Sequence, residues 1–301
     1  MASETMKYMK TVMKKQYNRQ GISNNNKKIN PYVMRITNDL SLLTLKNAPD
    51  VTFRPVKLGT MKVEVCIPKE VDESAILFYI HGGGMVAGNA KTSRHFASIL
   101  ASKTGYVTYT SSYRLAPKHP APAAQEDCFA GYKELLNRYP DKQIFVLGES
   151  GGAYMTLTTT LLAMKHNLRL PNAVALYSTP CAWDYSLDWE KNASTDISLS
   201  PNAMQQLKDF YFKNDSLLSD PICNPLLSDY KNFPPAYFAW DKGEILAADS
   251  EKLKELITAA GGKVEGEGCP DAFHAFPILA GLLPEANTVV DQTLSFFKKH
   301  M

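Results

Sequence analysis

One short motif limits what this chain can fold into more than any other feature: residues 148–152 read G-E-S-G-G. An apolar run, residues 144–147, precedes it, and an apolar-rich segment, residues 153–164, follows it. Strand, sharp turn and helix form the setting in which G-x-S-x-G exposes its serine, here Ser150, above a sheet edge. The turn would also leave the Gly151 N–H at a helix N-terminus, where an oxyanion can sit. A Gly-rich turn without chemistry has the same pattern, so the remaining chain must supply a base, an acid and a second oxyanion donor.

Predicted strands and helices alternate along most of the chain. Residues 75–80 form a continuous apolar run, as in a strand buried on both faces, whereas residues 62–67 alternate apolar and polar side chains, as in a half-exposed strand. Further strands are predicted over 106–110, 143–147, 173–179, 236–240 and 263–267, and helices over 93–103, 123–138, 153–164, 248–260 and 285–299. This alternation predicts an α/β fold with a mostly parallel central sheet covered by helices on both faces.

Two helices are predicted before the first strand. Residues 3–19 place apolar side chains at helical spacing with lysines between them. A basic amphipathic helix can lie on a membrane, but such a stripe more often packs on its own protein, and that is what we expect here. Asn30 followed by Pro31 reads as a cap and a first-turn proline, which predicts a second helix to about Leu45.

A second irregular segment, residues 180–232, is rich in aromatic residues and prolines. Ser200 followed by Pro201 predicts one helix there, over about 201–213. Both irregular segments are expected to lie over the sheet as a helical cap. The predicted division is therefore cap segments 1–45 and 180–232 on a core made of 46–179 and 233–301.

A serine hydroxyl needs a base to take its proton and an acid to orient that base. His274 follows the last predicted strand, and loops beyond the carboxyl ends of parallel strands meet at one edge of the sheet. Three acids follow strand 236–240: Asp241, Glu244 and Asp249. Proximity alone does not choose among them. Asp249 lies where the next helix begins, so we expect helix amides to occupy its oxygens, whereas Glu244 is free to reach the imidazole.

Residues 81–84, with the sequence H-G-G-G, follow the buried strand at the position where a second oxyanion donor belongs. The N–H groups of Gly83 and Gly84 can approach a tetrahedral intermediate because no side chain blocks them. A phosphate loop is the rival interpretation, but the chain has no G-x-x-x-x-G-K-[ST].

Composition excludes several other classes of protein. The formal net charge is only +3, from 33 basic and 30 acidic residues, which argues against a nucleic-acid-binding surface. No run of 18 apolar residues predicts a membrane span. The first seven residues lack the apolar core of a signal peptide, and the five cysteines form no CxxC. These features predict a cytoplasmic protein with reduced thiols and no metal site; a homodimer stays open.

Five segments together resemble the hormone-sensitive-lipase-like family of α/β-hydrolases, which includes bacterial carboxylesterases and acetyl esterases. They are the two glycine motifs at 81–84 and 148–152, the Y-R-L-A-P-K-H-P stretch at 113–120, the acid loop at 244–250 and the histidine segment at 273–276. The similarity runs from about residue 50 to the C-terminus. Three departures stand out: Glu244 where many members have Asp, Gly151 where many have Ala, and Lys118 where Glu is usual.

The resemblance implies an α/β-hydrolase fold and a mechanism. Ser150 would attack an ester carbonyl, His274 would transfer the proton, and Glu244 would orient the imidazole. Three backbone N–H groups would bind the oxyanion: those of Gly83, Gly84 and Gly151. His81 and Gly82 would complete the oxyanion motif, and no metal or organic cofactor would be needed.

The expected activity is a carboxylesterase for small, short-chain esters, from acetyl to butyryl. An amidase or arylformamidase can use the same machinery, and a non-catalytic ligand-binding relative is the third alternative. The non-catalytic alternative is the weakest, because such relatives lose a triad member and this chain keeps all three. A lipase acting on lipid droplets would carry a long apolar lid or surface, and none is evident in the sequence.

Overall fold

The computed structural model describes residues 2–20, 23 and 27–301. The other residues of the predicted cap segment 1–45 lie outside the described residues. Eight strands form one sheet. They are β1 Val51–Leu58, β2 Met61–Pro68, β3 Ala75–Ile80, β4 Val107–Ser112, β5 Gln143–Glu149, β6 Ala173–Tyr177, β7 Ala236–Asp241 and β8 Val264–Cys269.

The strand order in the sheet is β1-β2-β4-β3-β5-β6-β7-β8. β1 and β2 run antiparallel to their neighbours, and the pairings from β4 through β8 are all parallel. The predicted mostly parallel sheet is therefore confirmed. β3 pairs with β5 so that Ile80 lies opposite Gly148. This register brings both glycine motifs to the same edge of the sheet, side by side.

Helices cover both faces of the sheet, as predicted. They are α1 Glu4–Gln20, α2 Pro31–Leu43, α3 Arg94–Thr104, α4 Ala123–Arg138, α5 Gly151–Lys165, α6 Pro201–Tyr211, α7 Ala247–Ala259 and α8 Pro284–Lys299. Side chains alternate along β3, so Phe78 packs with α4 and α5 on one face, whereas Leu77 packs with α3 and α8 on the other. Burial of β3 on both faces explains its uninterrupted apolar sequence.

The half-exposed pattern predicted for residues 62–67 is wrong. Glu64 and Cys66, which alternate with the apolar residues of β2, are buried because α3 covers that face of the strand. Arg94 of α3 donates to both carboxylate oxygens of Glu64, each at 2.5 Å. The polar residue Glu64 in this alternating sequence therefore belongs to a buried ion pair and does not indicate a solvent-exposed face.

The two N-terminal helices form as predicted. Asn30 caps α2, its side chain accepting from the amides of Tyr32 and Val33, and Pro31 is the first helical residue. In α1, Met6 is fully buried, and Met9 and Met13 pack on the same cluster. The three methionines of the α1 stripe thus pack on the protein itself, whereas Val12 is exposed. Among the described residues no helix is both long and apolar enough to span a membrane.

Residues 180–232, all of them described, contain α6 and three short 3-10 helices. Ser200 caps α6 by accepting from the Ala203 amide at 3.2 Å, and the helix ends at Tyr211, two residues before the predicted end. Leu207 of α6 lies directly above the first glycine motif, within 3 Å of where a Cβ on Gly84 would be. The segment therefore packs above the edge of the sheet at which the candidate residues meet.

Candidate active site

Ser150 lies on the turn between β5 and α5, with φ 54° and ψ −125°. Such a backbone is rare for a residue with a Cβ and is a recurrent sign of a functional turn. Glycine is required on either side. A Cβ on Gly148 would lie 2.2 Å from the Gly152 carbonyl oxygen, and a Cβ on Gly152 would lie 2.0 Å from the Ile80 carbonyl oxygen. The turn presents the Ser150 hydroxyl to a cavity instead of using it as a helix cap.

Three of the predicted residues form a chain of hydrogen bonds. The Ser150 hydroxyl donates to His274 Nε2 at 2.8 Å, and His274 Nδ1 donates to Glu244 Oε2 at 2.7 Å. Glu244 follows β7 and His274 follows β8, so the loops at one edge of the sheet bring them together. Glu244 is fully buried and His274 nearly so. The geometry suits proton transfer from the serine to the imidazole.

The other two acids after β7 are occupied elsewhere. Asp241 accepts from the Ala272 amide at 3.2 Å. The expectation that helix amides occupy Asp249 is wrong, because α7 begins after Leu246 and Asp249 lies in its first turn with its side chain directed away. Its oxygens instead accept from the amides of Cys181 and Ala182 and from the indole of Trp189, at 2.7–2.9 Å. Asp249 therefore anchors the start of segment 180–232.

The glycine loop at 81–84 lies against the turn that carries Ser150. A Cβ on Gly151 would be 3.2 Å from the Gly84 amide nitrogen, so these two backbones are in contact. Gly83 and Gly84 have φ of 101° and 60°, in the left-handed region that favours glycine. Within the described part of the chain, the amides of Gly83, Gly84 and Gly151 donate to no other protein group. These three N–H groups, in the loop at 81–84 and at the start of α5, are thus available to a bound acceptor.

Side chains on both sides fix this loop. His81 donates from Nδ1 to the Gly82 carbonyl at 2.7 Å and stacks on Tyr113 with 4.3 Å between ring centroids. The Tyr113 hydroxyl donates to the His81 carbonyl at 2.8 Å. Glu149, the residue before the serine, accepts from the Gly82 amide at 2.6 Å. Burial lowers the pKa of His81 to about 4, so this ring is neutral at physiological pH.

The imidazole of His274 lies among buried carboxylates. Burial alone would lower its pKa, but the charge and hydrogen bond of Glu244, with smaller contributions from Asp196 and Glu149, raise the pKa above its ordinary value. Burial raises the pKa of Glu149 to about 7. Burial and the charge of Glu244 raise the pKa of Asp196 to about 6. Burial also raises the pKa of Glu244, an effect that the neighbouring imidazole opposes. This surrounding negative charge favours the protonated imidazole.

Sequence reasoning missed a set of residues that brace the acid loop, 242–245. Asn192 donates from its side chain to the carbonyls of Lys242 and Glu244 at 3.2 and 2.9 Å. The Thr195 hydroxyl donates to the Gly243 carbonyl at 2.9 Å. The Ile245 amide donates to Asp196 at 2.9 Å. The only signal in the sequence is an Asn, Thr and Asp cluster in a loop, which by itself predicts turns and not a partner 50 residues away.

Ser150 and His274 open onto a cavity of about 280 Å³. Its walls are mostly apolar and come from α1, α2, the start of α3, the loops at the sheet edge and segment 180–232. They include Met9, Met13, Met34, Phe96, Trp183, Leu207 and Leu279. Both predicted cap segments thus contribute to the walls. In the described ranges no group of three His, Cys, Asp or Glu side chains is placed to hold a metal ion.

Comparison with known proteins gives three kinds of likeness. A family model described as alpha/beta hydrolase fold matches residues 77–278. An esterase of Acinetobacter venetianus is 29% identical over 252 residues, which are 82% of each chain. An acetyl-hydrolase of Streptomyces hygroscopicus is 26% identical over 247 residues, 81% of each chain.

A solved esterase from the bacterial hormone-sensitive lipase family superimposes with a TM-score of 0.90. It is 23% identical, and the match covers 100% of this chain and 99% of that one. At this identity the likeness concerns the fold, and it extends to the N-terminal helices as well as the sheet.

Substitution of the two acids separates their roles. Glu244→Gln should lower kcat by up to about 10⁴-fold, because the amide can leave His274 in the wrong tautomer. Asp249→Asn should mainly reduce stability, by about 1–3 kcal/mol, since its NH₂ group cannot accept all three hydrogen bonds. The measurements are kcat on an acetyl ester and the melting temperature of both variants. An inactive Asp249→Asn beside an active Glu244→Gln would reverse the assignment.

The acid limb of the pH profile should report on His274. Only the neutral imidazole can take a proton, so activity should fall as pH drops through the pKa of His274, which lies above its ordinary 6.5. Glu149→Gln removes a negative charge that raises this pKa but keeps an acceptor for the Gly82 amide. We therefore expect the limb in kcat/KM to move to lower pH in Glu149→Gln and to stay in place in the exposed control Glu251→Gln. A limb that moves to higher pH would contradict the electrostatic account.

Proposed function

The chain belongs to the alpha/beta hydrolase fold family and is a carboxylic ester hydrolase, and from this premise we propose that it cleaves small, short-chain acyl esters through a serine mechanism. Ser150 is the nucleophile, His274 the general base and acid, and Glu244 the residue that orients His274. The observation that carries the proposal is the hydrogen-bonded chain from Ser150 to Glu244, at 2.8 and 2.7 Å, beside three unoccupied backbone donors.

In the first half-reaction the Ser150 hydroxyl oxygen attacks the ester carbonyl carbon while its proton passes to His274 Nε2. The carbonyl oxygen becomes an oxyanion that accepts from the amides of Gly83, Gly84 and Gly151. Such preoriented donors stabilise the charge that develops in the transition state. His274, held in its tautomer by Glu244, gives the proton to the departing alkoxide, and the acyl group stays on the serine.

In the second half-reaction a water molecule loses a proton to His274 and attacks the acyl carbon. The same three amides receive the second oxyanion. Collapse returns the proton from His274 to the Ser150 oxygen and releases the carboxylic acid. The reaction consumes one ester and one water, and every proton that leaves a nucleophile reaches a leaving group.

The cavity supports a small substrate. Its volume of about 280 Å³ is at the lower end of ligand pockets, which span about 300–1,000 Å³. Segments 1–45 and 180–232 act as the cap that closes it, since Met9 and Met13 of the first and Trp183 and Leu207 of the second line its walls. The Streptomyces relative, named an acetyl-hydrolase, agrees with a short acyl group.

Loss of the nucleophile should abolish hydrolysis without unfolding the protein. In Ser150→Ala we expect kcat to fall to the level given by the oxyanion donors alone, about 10³–10⁴-fold over water. The melting temperature should stay unchanged, because the hydroxyl does not cap α5. A phosphonate that traps serine esterases should label the parent and not Ser150→Ala. Near-parental activity in the variant would remove Ser150 from the mechanism.

Chain-length preference should be set by the cap. We expect the highest kcat/KM on acetyl to butyryl esters and weak activity beyond about eight carbons, since a further CH₂ contributes about 0.8 kcal/mol only where an apolar slot receives it. Met9→Ala with Met13→Ala should move the optimum to longer chains, and Val71→Ala, outside the cavity, should not.

Two results would contradict this account of the substrate. One is faster turnover of long-chain triglycerides than of acetyl esters by the unmodified protein. The other is cleavage of N-formylkynurenine with no cleavage of any ester in the series, which would identify an arylformamidase. Ser150→Ala should abolish hydrolysis of an ester and of N-formylkynurenine alike. The variant therefore tests the nucleophile, and the substrate series tests the substrate independently.

A further inference from the structure

Helix α2 turns its two charged side chains inward together with Met34, whereas most of its large apolar side chains face outward. Its two charged side chains both bind the loop after the first glycine motif. Arg35 donates to the carbonyls of Val86 and Ala116, and Asp39 accepts from the Gly88 amide and the Asn89 side chain. Five large apolar side chains point away from the protein, each 49–61% exposed: Tyr32, Val33, Ile36, Leu40 and Leu43.

This outer face of α2 continues onto α1. Gln16 of α1 donates to Ser41 of α2 at 2.9 Å, so the side of α1 that carries Gln16 faces α2. Val12 and Tyr8 lie one and two turns before Gln16 along that side, and both are exposed. Of the twelve large apolar side chains exposed among the described residues, seven lie on these two helices. The concentration marks an interaction surface, since exposed apolar residues are otherwise scattered singly.

The charge beside the apolar face is positive. α1 contains four lysines and one acidic residue, Glu4, which pairs with Lys7. Lys14 and Lys15 are exposed on the next turns. An apolar face flanked by lysines matches an anionic lipid surface, where each lysine adds to the attraction. Tyr8 and Tyr32 each have an apolar ring and a polar hydroxyl, so their side chains can lie at the boundary between lipid acyl chains and headgroups.

A second copy of the chain fits this face less well. α2 has 13 residues and is about 20 Å long and about 10 Å across, so its face covers about 200 Å². A stable protein interface needs about 800 Å² from each partner. A two-fold pairing that recruits α1 to enlarge the contact would also set its lysines against those of the partner copy.

The cavity opens at the same place. Of the described residues that line it, only Val12 of α1 and Thr44, which follows α2, are exposed. The mouth of the cavity therefore lies between the two helices that carry the apolar face. We propose that the outer face of α2, with Tyr8, Val12 and the lysines of α1, binds the protein to anionic lipid bilayers with the cavity mouth toward the lipid.

Cosedimentation with vesicles tests the proposal without catalysis. The full chain with Ser150→Ala is mixed with vesicles of phosphatidylcholine alone or of equal parts phosphatidylcholine and phosphatidylglycerol. We expect binding to the anionic vesicles, weakened by salt, and little binding to the neutral ones. Because no substrate is present, absence of binding would overturn the lipid proposal and leave the esterase assignment untouched.

Matched variants identify the surface. Ile36→Gln with Leu40→Gln should weaken binding at least about tenfold, because two insertion sites are lost, and Lys14→Glu with Lys15→Glu should do the same by charge. The controls are Val71→Gln and Lys69→Glu with Lys231→Glu, in loops at the opposite end of the sheet, and they should bind like the parent. None of these residues lines the cavity, so the same substitutions made with Ser150 intact should leave hydrolysis of a soluble acetyl ester and the melting temperature unchanged, which reports intact folding.

Two further outcomes would overturn the proposal. One is vesicle binding by Ile36→Gln with Leu40→Gln equal to that of the parent. The other is a dimer in light scattering that this variant converts to a monomer, since the face would then belong to a second copy.

Discussion

The candidate site depends on how closely two backbones approach each other. The first turn of α5 packs on the end of β3 so tightly that a Cβ on Gly152 would lie 2.0 Å from the Ile80 carbonyl oxygen. This contact sets the loop at 81–84 beside the nucleophile turn, so that Glu149 can accept from Gly82 at 2.6 Å. A larger residue at Gly152 would push the loop at 81–84 away from Ser150. Gly152 is thus required by the short distance between the two backbones.

Three carboxyl groups are buried around this contact, and removing them from water costs free energy. Glu149, Asp196 and Glu244 are all buried, and burial raises the pKa of each. Backbone amides offset part of this cost, from Gly82 to Glu149 and from Ile245 to Asp196. The result is an imidazole whose protonated form is favoured by its surroundings before any substrate arrives.

Most of the fold was predictable, and the reasons for the errors are physical. The strands and helices follow from local periodicity, and the residues that meet at one edge of the sheet, including His274 and Glu244, follow from parallel topology. Partners across the fold do not. An exposed Glu64 is the natural prediction because its partner, Arg94, is 30 residues away in the sequence. Helix amides are the natural prediction for Asp249 because its partner, Trp189, is 60 residues away. The contacts of Asn192, Thr195 and Asp196 with the acid loop were missed for the same reason. A long-range hydrogen bond leaves no pattern in the sequence around either of its partners.

The braces on the acid loop also bear on how such proteins can diversify. Segment 180–232 looks like an exchangeable insert, since the sheet continues from β6 to β7 as though it were absent. Yet Asn192, Thr195 and Asp196 make four hydrogen bonds to the loop that holds Glu244. An insert taken from another protein would bring new cavity walls and, unless it rebuilt those contacts, would leave the loop of Glu244 less firmly held. Recombination at this boundary would therefore change the cavity walls and the support of the Glu244 loop together.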